Sequence, residues 1–412
     1  MPQISIIVTV YNGAKTLSNC LDSLIRLDFP QENREIIVVD NNSTDNTKEI
    51  ISQYPVKYVF EPIRGRGRAR NAGIRVSLGK YIAFTDADCI ADRNWLKELI
   101  KGFEVADIVA CAGKIVAYKT NNCLERYAES RELGQERAVS GDGLEGLPYI
   151  VTANAMFIRD ILEKLGYFDE DLITSEDTEM GWQFTLSGLN LQYIPNAIIY
   201  HQHRNTFGNF CSQQFEFGSS SYMIFKKYGL LENGCFYKLK YFFSLFLTLI
   251  TIPFRFITEV ITLRKEKKSF LLLDNLTNIF YYFGQIKLLL RDIFFPQLLS
   301  LSKRPNLNKV YYHNLQIHNN SYAWLSKERV VWFLKDSVVK ILNFKNHTLY
   351  GLNCTATRIW QVLLDVKEIL LTADLISQQF GISKETALED IEGLISQLER
   401  ESILIRKRRK NK

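Results

Sequence analysis

The N-terminal part of the chain alternates short β-branched runs with amphipathic segments, and this alternation constrains its fold more than any other feature. The predicted strands are Ile4–Val10, Glu35–Val39, Val56–Phe60 and Tyr81–Phe84, and the predicted helices are Ala14–Ile25, Thr44–Gln53 and Gly67–Ser77. Strands that alternate with helices of this length predict βαβ units and a mostly parallel sheet. The predicted fold class is therefore α/β.

Polar residues follow each of these predicted strands. They are Tyr11 and Asn12, Asp40, Glu61, and Asp86 and Asp88. In an open α/β sheet, ligands bind outside the carboxyl ends of the strands. Four consecutive strand ends therefore direct polar groups towards one crevice, which we take as the predicted site.

Length and cysteine usage limit the kind of protein. A chain of 412 residues is too long for one ordinary core, and two or three domains are expected. Its seven cysteines include no CxxC pair, which argues against a disulfide framework or a zinc site and favours a reducing compartment. No basic segment followed by an apolar run opens the chain, so no signal peptide is predicted.

An apolar region at residues 231–299 follows the predicted catalytic domain, 1–230. Its first stretch has only 14 residues, Tyr241 to Phe254, before Arg255, whereas a spanning helix needs about 20 apolar residues. A helix in the membrane interface fits better, and a helical pair packed on the catalytic domain is the alternative. A helix in the membrane interface predicts a cytoplasmic protein that is peripheral on the inner face of the cell membrane.

The C-terminal part predicts a further small domain. Polar residues 300–324 are predicted to be a linker, 325–405 a winged-helix-like α+β domain, and 406–412 a solvated basic tail. Val330 to Leu352 predicts two or three short strands. The helices predicted after them are Cys354 to Leu364, Thr372 to Phe380 and Ser383 to Glu401, with a closing strand at Ile403 to Ile405.

The strongest chemical signal is the pair Asp86 and Asp88, which directly follows a predicted strand. One carboxylate of such a pair can bind a divalent metal, and the other can hold a ribose hydroxyl or the metal's water. Mg²⁺ and Mn²⁺ take oxygen ligands and leave positions open for diphosphate. The alternative is a surface turn. We therefore predict a Mg²⁺ or Mn²⁺ site at this strand end.

Two further segments suit a nucleotide. Asp40 ends a strand, where its carboxylate can accept a hydrogen bond from a base N–H, while Asp45 only caps the next helix. Arg64 to Gly73 is a basic, glycine-containing loop that leads into a helix, and it suits phosphate unless it is a solvated turn. Its glycines lack the GxGxxG spacing, which weakens a dinucleotide oxidoreductase.

The segment Ser175-Glu176-Asp177 stands at a predicted helix start. Capping is the simple interpretation of an acidic pair there. The functional one makes Asp177 a general base that takes a proton from an acceptor hydroxyl. His201 and His203 follow a predicted strand, and a neutral imidazole of either could complete the metal shell unless the pair is structural.

Together these motifs resemble the inverting family 2 glycosyltransferases with the GT-A fold, over about residues 3–230. The segments that carry the resemblance are Val8–Asn12, Asp40, Arg70-Asn71-Ala72-Gly73, Asp86 with Asp88, Ala153-Asn154-Ala155 and Glu176-Asp177. The resemblance implies that Thr9, Tyr11, Asp40, Arg70 and Asp86 bind the nucleotide sugar, with Asp40 on uracil and Arg70 near the diphosphate.

For the remaining positions, the resemblance implies that Asp88 is the direct metal ligand, that Asn154 lies beside the acceptor, and that Asp177, paired with Glu176, is the catalytic base. The family's processive members carry a QxxRW motif. Here the similar place reads Gln213-Gln214-Phe215-Glu216-Phe217, without Arg-Trp. This departure favours single transfer over polymer synthesis.

The segment His347–Trp360 resembles the PqqD family, over about residues 325–405. In that family a winged-helix-like unit captures a leader peptide as an added edge strand, a mode in which main-chain pairing supplies affinity. Leu352, Ile359, Trp360 and Leu363 also form a helical stripe typical of a core. Glycosyltransferases of the mycofactocin type offer a parallel for sugar transfer in peptide-derived pathways.

The leading hypothesis is transfer of a sugar from a UDP-sugar to a hydroxyl, with inversion. The acceptor would be a ribosomally made peptide or its product, or alternatively a lipid or cell-surface glycan. A nucleic-acid-binding regulator is the competing class. It is disfavoured because the predicted helix Thr372 to Phe380 carries no Lys or Arg to contact phosphates.

Overall fold

A computed structural model describes most of the chain. The described residues are 2–105, 107–131, 134–141, 147–187, 189–203, 206–228, 242, 245–247, 250–251, 265–294, 316–318, 322–326, 330–335, 338–343, 348–366, 368–400 and 404–408. The chain divides into two compact units, one within Met1–Thr185 and Leu189–Arg304, the other within Leu186–Gly188 and Pro305–Lys412.

The first unit is built around one eight-stranded sheet. Its strands are β1 (Ile4–Val10), β2 (Arg34–Asp40), β3 (Lys57–Phe60), β4 (Tyr81–Asp86), β5 (Cys89–Ala91), β6 (Ile108–Ala117), β7 (Ala155–Ile158) and β8 (Asn190–His201). Its helices are α1 (Leu17–Ile25), α2 (Thr47–Ile51), α3 (Arg66–Val76), α4 (Trp95–Lys101), α5 (Cys123–Arg131), α6 (Gln135–Ser140), α7 (Arg159–Leu165), α8 (Glu176–Leu186), α9 (Phe207–Lys227) and α10 (Lys265–Phe294).

The sheet has the strand order β3-β2-β1-β4-β7-β6-β8-β5. Strands β1 to β4 pair in parallel, as do β6 and β8, whereas β7 and β5 pair antiparallel with their neighbours. The result is a mixed, mostly parallel sheet with helices, which confirms the predicted α/β class. The parallel register places Thr9 opposite Asp86 and Val10 opposite Asp40. Three strand ends therefore meet at one edge.

Both faces of the sheet are covered, which explains why β1 is continuously apolar. Ile4 and Val8 pack against α1 on one face, where Leu17 and Leu21 are fully buried. Ile7 points to the other face and meets the α3 side of the core. A strand buried on both faces reads as a β-branched run without alternation.

Helix α10 packs along α9 through two glycines. A Cβ at Gly218 would fall on the carbonyl oxygen of Tyr281, and one at Gly284 on that of Phe215. The buried Asp292 accepts a hydrogen bond from Tyr222 Oη (3.0 Å). The second apolar stretch of 231–299 therefore packs on the catalytic unit, as the alternative interpretation predicts. Most of the stretch Tyr241 to Ile261 lies outside the described residues.

Replacing Gly218 by alanine should lower the free energy of unfolding by about 1–3 kcal/mol, because the backbone of α10 cannot yield as a side chain can. Gly208 lies near the start of α9, the helix that also carries Gly218. It has open space at its Cβ position and provides the matched control. Gly208→Ala should be neutral or gain at most about 1 kcal/mol. Urea unfolding followed by circular dichroism measures both. Equal stability of the two variants would contradict the close crossing.

In its described residues, the second unit combines two small sheets with three helices. Its strands are β9 (Gln316–His318), β10 (Tyr322–Ser326), β11 (Val330–Lys335), β12 (Val338–Asn343), β13 (Thr348–Gly351) and β14 (Leu404–Arg408). Its helices are α11 (Cys354–Val366), α12 (Ile369–Phe380) and α13 (Lys384–Arg400). Leu352, Ile359, Trp360 and Leu363 lie in one core, as the stripe predicts.

Two boundaries of this unit differ from the prediction. Strand β9 and the start of β10 fall within residues 300–324, which the sequence predicts to be a linker. Strand β14 extends through Arg408 into the predicted tail, and it pairs antiparallel with β10. A sheet closed by chain ends distant in sequence gives no local signal, so composition alone cannot find it.

Candidate active site

Asp86 and Asp88 lie at the end of β4, where the side chain of each is about one third exposed. Asp86 is the last residue of the strand, and Asp88 lies in the two-residue turn before β5. The backbone carbonyl of Asp88 accepts a hydrogen bond from Gln202 N–H (3.0 Å). This contact ties the turn to the end of β8, which brings a histidine to the carboxylates.

His201, at the end of β8, is the histidine that this hydrogen bond brings close to Asp88. Its Nε2 lies 3.6 Å from Asp88 Oδ1, and β5 places Cys89 opposite it in the ladder. Ligand atoms of Asp88, Cys89 and His201 all lie within 4.8 Å of one another. Among the described residues, Asp86 and His203 do not join this group. The structure therefore brings together two of the four predicted ligands and adds Cys89, which the sequence analysis missed.

The donor set fits a hard divalent cation. Burial, with Asp88 and Asp86 nearby, raises the pKa of the Cys89 thiol well above its usual value. The remaining donors are a carboxylate oxygen and an imidazole nitrogen, which suit Mn²⁺ or Mg²⁺ better than a thiolate-loving metal. Burial and His201 lower the pKa of His203 to about 4, so this ring is neutral. Its centroid is 5.1 Å from that of His201.

Asp40 lies at the adjoining strand end and is 3% exposed. Its Oδ1 accepts a hydrogen bond from Ser43 N–H (2.9 Å), and its Oδ2 accepts one from Tyr58 Oη (3.3 Å). Burial and Asp40 together raise the pKa of Tyr58, which keeps this phenol a donor. A fixed carboxylate at a strand end can accept one further hydrogen bond from a base, because each oxygen has two lone pairs.

Tyr11 forms an exposed wall beside this strand end. The Arg64 guanidinium lies 3.5 Å from the centroid of its ring. Asn41 fixes the loop that carries Arg64, since its Nδ2 donates to Ile63 O (2.8 Å) and its Oδ1 accepts from Gly65 N–H (2.8 Å). An aromatic ring stacked by a cation offers a flat surface for a base.

Arg70 is 4% exposed, and protein carboxylates occupy its guanidinium. It pairs with Glu176, and its Nη2 lies 3.4 Å from Asp86 Oδ1. Arg70 thus serves as an internal counter-ion, and its partner Glu176 is 1% exposed. The predicted roles of Arg70 near the diphosphate and of Glu176 beside the catalytic base stay predictions.

Asp177 remains partly exposed at the start of α8. Its Oδ2 lies 3.3 Å from Thr152 N and 3.4 Å from Thr152 Oγ1, both of which donate to it. Tyr149 lies on the same segment, and burial together with Asp177 raises its pKa to about 12. The carboxylate is thus accessible and held by the segment 149–152. Both properties suit a general base.

Asn154 is fully buried, and its side chain is fully used. Its Nδ2 donates to Lys114 O (2.8 Å) and to Ala197 O (2.9 Å), while its Oδ1 accepts from Trp95 Nε1 (2.7 Å). Protein groups thus occupy the side chain of Asn154, and its predicted contact with the acceptor stays a prediction. A buried amide with no spare donor fixes the start of β7 instead.

A second support of the Asp177 segment has no signal in the sequence. Gln135 is buried at the start of α6; its Nε2 donates to Val151 O (2.8 Å), and its Oε1 accepts from Val151 N–H (2.9 Å). Further along α8, Glu179 Oε1 pairs with Lys227 (2.9 Å), which also pairs with Asp169. These buried contacts fix the helix that presents Asp177 and the segment beside it.

Comparison with protein families identifies two domains in the chain. Residues 5–166 match the family described as Glycosyl transferase family 2, and residues 339–404 match Coenzyme PQQ synthesis protein D (PqqD). The first match covers the strand ends that carry Asp40, Asp86 and Asp88. Residues 5–166 therefore form a family 2 glycosyltransferase domain, which makes the chain a glycosyltransferase of EC class 2.4, and residues 339–404 form a PqqD domain.

Individual relatives cover only part of the chain. Glycosyltransferase AglE of Haloferax volcanii is 28% identical over 54% of this chain and 74% of its own length. The pre-mycofactocin glycosyltransferase of Mycobacterium tuberculosis is 25% identical over 53% of this chain, which spans 46% of that relative. The mannosyltransferase PcManGT from Pyrobaculum calidifontis, solved with GDP-Man and Mn²⁺, covers 70% of this chain and 74% of its own at 19% identity and a TM-score of 0.46.

Proposed function

We propose that the chain transfers a sugar from a UDP-sugar to a hydroxyl acceptor with inversion. Asp177 takes the proton of the acceptor hydroxyl while that oxygen forms its bond to the anomeric carbon. The bond to the diphosphate oxygen breaks on the opposite face, and UDP leaves with the electron pair. One displacement inverts the configuration. The observation that carries this proposal is the accessible carboxylate of Asp177, which the N–H and Oγ1 of Thr152 hold in place.

The donor half of the crevice supports a nucleoside diphosphate. Asp40 and Tyr11 would hold the base, with Thr9 and Asp86 beside the ribose, because these residues end three neighbouring strands. Asp88 and His201 would hold Mn²⁺ or Mg²⁺, which when bound neutralises charge on the diphosphate. The protein's own contribution is to orient the donor so that its anomeric carbon faces Asp177.

The direct test is release of UDP from UDP-sugars by the full chain in the presence of Mn²⁺, with and without hydroxyl acceptors. UDP release that rises with an acceptor, and a product of inverted configuration by NMR, would support the proposal. If the chain releases a nucleoside diphosphate from GDP-sugars and not from UDP-sugars, the base that it binds is guanine and not uracil. No turnover of any nucleotide sugar would overturn the proposal.

For the acceptor, we propose a ribosomally made peptide or its product, bound through the PqqD domain. The sheet β11-β12-β13 supports this, because β11 and β13 are its edge strands among the described residues and an extended peptide can add to an edge strand. The resemblance to the pre-mycofactocin glycosyltransferase points in the same direction. A lipid or cell-surface glycan is the alternative acceptor.

Removing residues 305–412 deletes β10 together with its partner strand β14, so neither strand is left unpaired. This truncation should leave hydrolysis of the nucleotide sugar in water unchanged. It should raise the KM for a leader-bearing peptide at least roughly tenfold, since loss of about 1.4 kcal/mol of binding has that effect. A leaderless acceptor is the matched control and should keep its KM. Steady-state kinetics with both acceptors measures this. Equal KM values before and after truncation would exclude leader capture.

We further propose that helix α10 contacts a membrane surface. Leu272, Phe283 and Leu290 are exposed at spacings that place them on one line of α10. Lys265, Lys267 and Lys268 occupy the start of that helix, and a cation near an anionic surface contributes about 1 kcal/mol. No helix within the described ranges is long and apolar enough to span a bilayer. At low salt the protein should sediment with anionic liposomes, and the Phe283→Ser variant should stay in the supernatant. If the native protein also stays in the supernatant, this surface role is excluded.

A further inference from the structure

Arg70 is the one guanidinium we find shared between the two halves of the crevice among the described residues. It comes from α3, and its partners are Asp86 at the end of β4 and Glu176 at the start of α8. Glu176 and Arg70 are 106 residues apart in sequence, and each is nearly inaccessible to solvent. Asp86 belongs to the donor half, and Glu176 directly precedes Asp177 in the acceptor half.

The balance of charge around Arg70 depends on both partners. A buried guanidinium is tolerated only when carboxylates compensate the loss of water, and removing one partner of such a pair is costly. Burial lowers the pKa of Arg70, while Asp86 and Asp177 act in the opposite direction. Glu176 Oε2 has no hydrogen-bond partner among the described residues, so the carboxylate is committed to Arg70 through one oxygen.

We propose that Glu176 is a positioning residue that holds Arg70 away from full pairing with Asp86 and so couples donor binding to the placement of Asp177. While Glu176 carries its charge, Arg70 is shared, and Asp86 keeps a free oxygen for the donor. Without that charge, Arg70 pairs with Asp86 alone and competes with the donor. The same change loosens the first turn of α8, on which Asp177 lies. This inference rests on the proposed donor site at Asp86.

The test is Glu176→Gln in the full chain, an isosteric change that removes only the charge. The affinity for UDP, measured by calorimetry with and without Mn²⁺, should fall roughly tenfold, which corresponds to about 1.4 kcal/mol. The matched control is Glu170→Gln. Glu170 also pairs with arginines of the same helix, Arg68 and Arg75 (2.9 Å each), but it lies outside the crevice. The control should keep its UDP affinity.

A residue that merely stabilises α8 would lower the melting temperature and leave UDP affinity unchanged, so unchanged affinity in Glu176→Gln overturns the proposal. Should that variant fail to fold, Arg70→Met with Glu176→Leu removes both charges and leaves no buried ion unpaired. This pair should bind UDP at least as tightly as the native chain, because the competitor for Asp86 is gone, and weaker binding would overturn the proposal. A native chain that binds no UDP would instead refute the proposed function.

Discussion

Replacing Asp88 by asparagine should abolish sugar transfer while leaving the fold intact. The amide keeps the shape of the side chain but loses the charge that a divalent cation requires, and it leaves only His201 at the proposed metal site. Metal stabilisation of a leaving group supplies several kcal/mol. At 1.36 kcal/mol per factor of ten, the rate should fall at least roughly 100-fold. Transfer kinetics at saturating donor, with circular dichroism to verify folding, measures this.

The matched control for Asp88→Asn is Asp160→Asn, an equivalent change on the exposed surface of α7. It should leave transfer unchanged. Chelator should inactivate the native enzyme, and added Mn²⁺ or Mg²⁺ should restore it, whereas neither should affect Asp88→Asn. Native activity that persists in chelator would end the metal proposal and leave Asp88 with a role towards the donor alone.

The strands of the catalytic domain were predictable because burial on both faces leaves a strong local signal. Ile4–Val10 has the predicted bounds, and Arg34–Asp40 exceeds its prediction by one residue at each end. Strand ends in turn locate Asp40, Asp86 and Asp88, because parallel strands deliver their carboxyl ends to one edge. The sequence thus locates these three carboxylates at one edge of the sheet by elementary topology.

Helix starts were less predictable, because their first turns depend on contacts from other segments. Helix α1 begins at Leu17, three residues after the predicted Ala14. Asp45 Oδ2 accepts a hydrogen bond from Ala14 N–H (3.1 Å), and Thr47 Oγ1 accepts one from Gly13 N–H (2.9 Å). Asp45 therefore does more than cap its own helix, since it also fixes the loop after β1.

The roles of polar residues could not be predicted where burial decides them. Asn154 and Glu176 lie in the right segments, but their side chains are turned into the protein and are occupied there. Gln135 and Thr152 support the candidate base through contacts that no spacing in the sequence reveals. A motif identifies which segment reaches a site, whereas the contacts of each side chain within the fold carry no signal in the motif.

Replacing Asp177 by asparagine should remove transfer and keep the donor bound. A positioned general base accelerates proton transfer about 10²–10⁴-fold, so kcat should fall by that factor. The amide can still accept from Thr152 N–H and Oγ1, so the segment 149–152 should keep its place. Because Asp177 acts on the acceptor hydroxyl, the affinity for UDP-sugar should stay within a factor of about two, well below the tenfold that 1.4 kcal/mol would cause.

Single-turnover kinetics and calorimetry separate these effects for Asp177→Asn. The contrast with Asp88→Asn is informative, since that change removes a proposed ligand of the donor's metal and should weaken donor binding as well as turnover. If Asp177→Asn loses donor affinity to the same extent, the carboxylate belongs to the donor site, and the base must be sought elsewhere along the segment 149–152. If it retains native turnover, the acceptor hydroxyl loses its proton directly to water or to the departing diphosphate, and Asp177 only orients the acceptor.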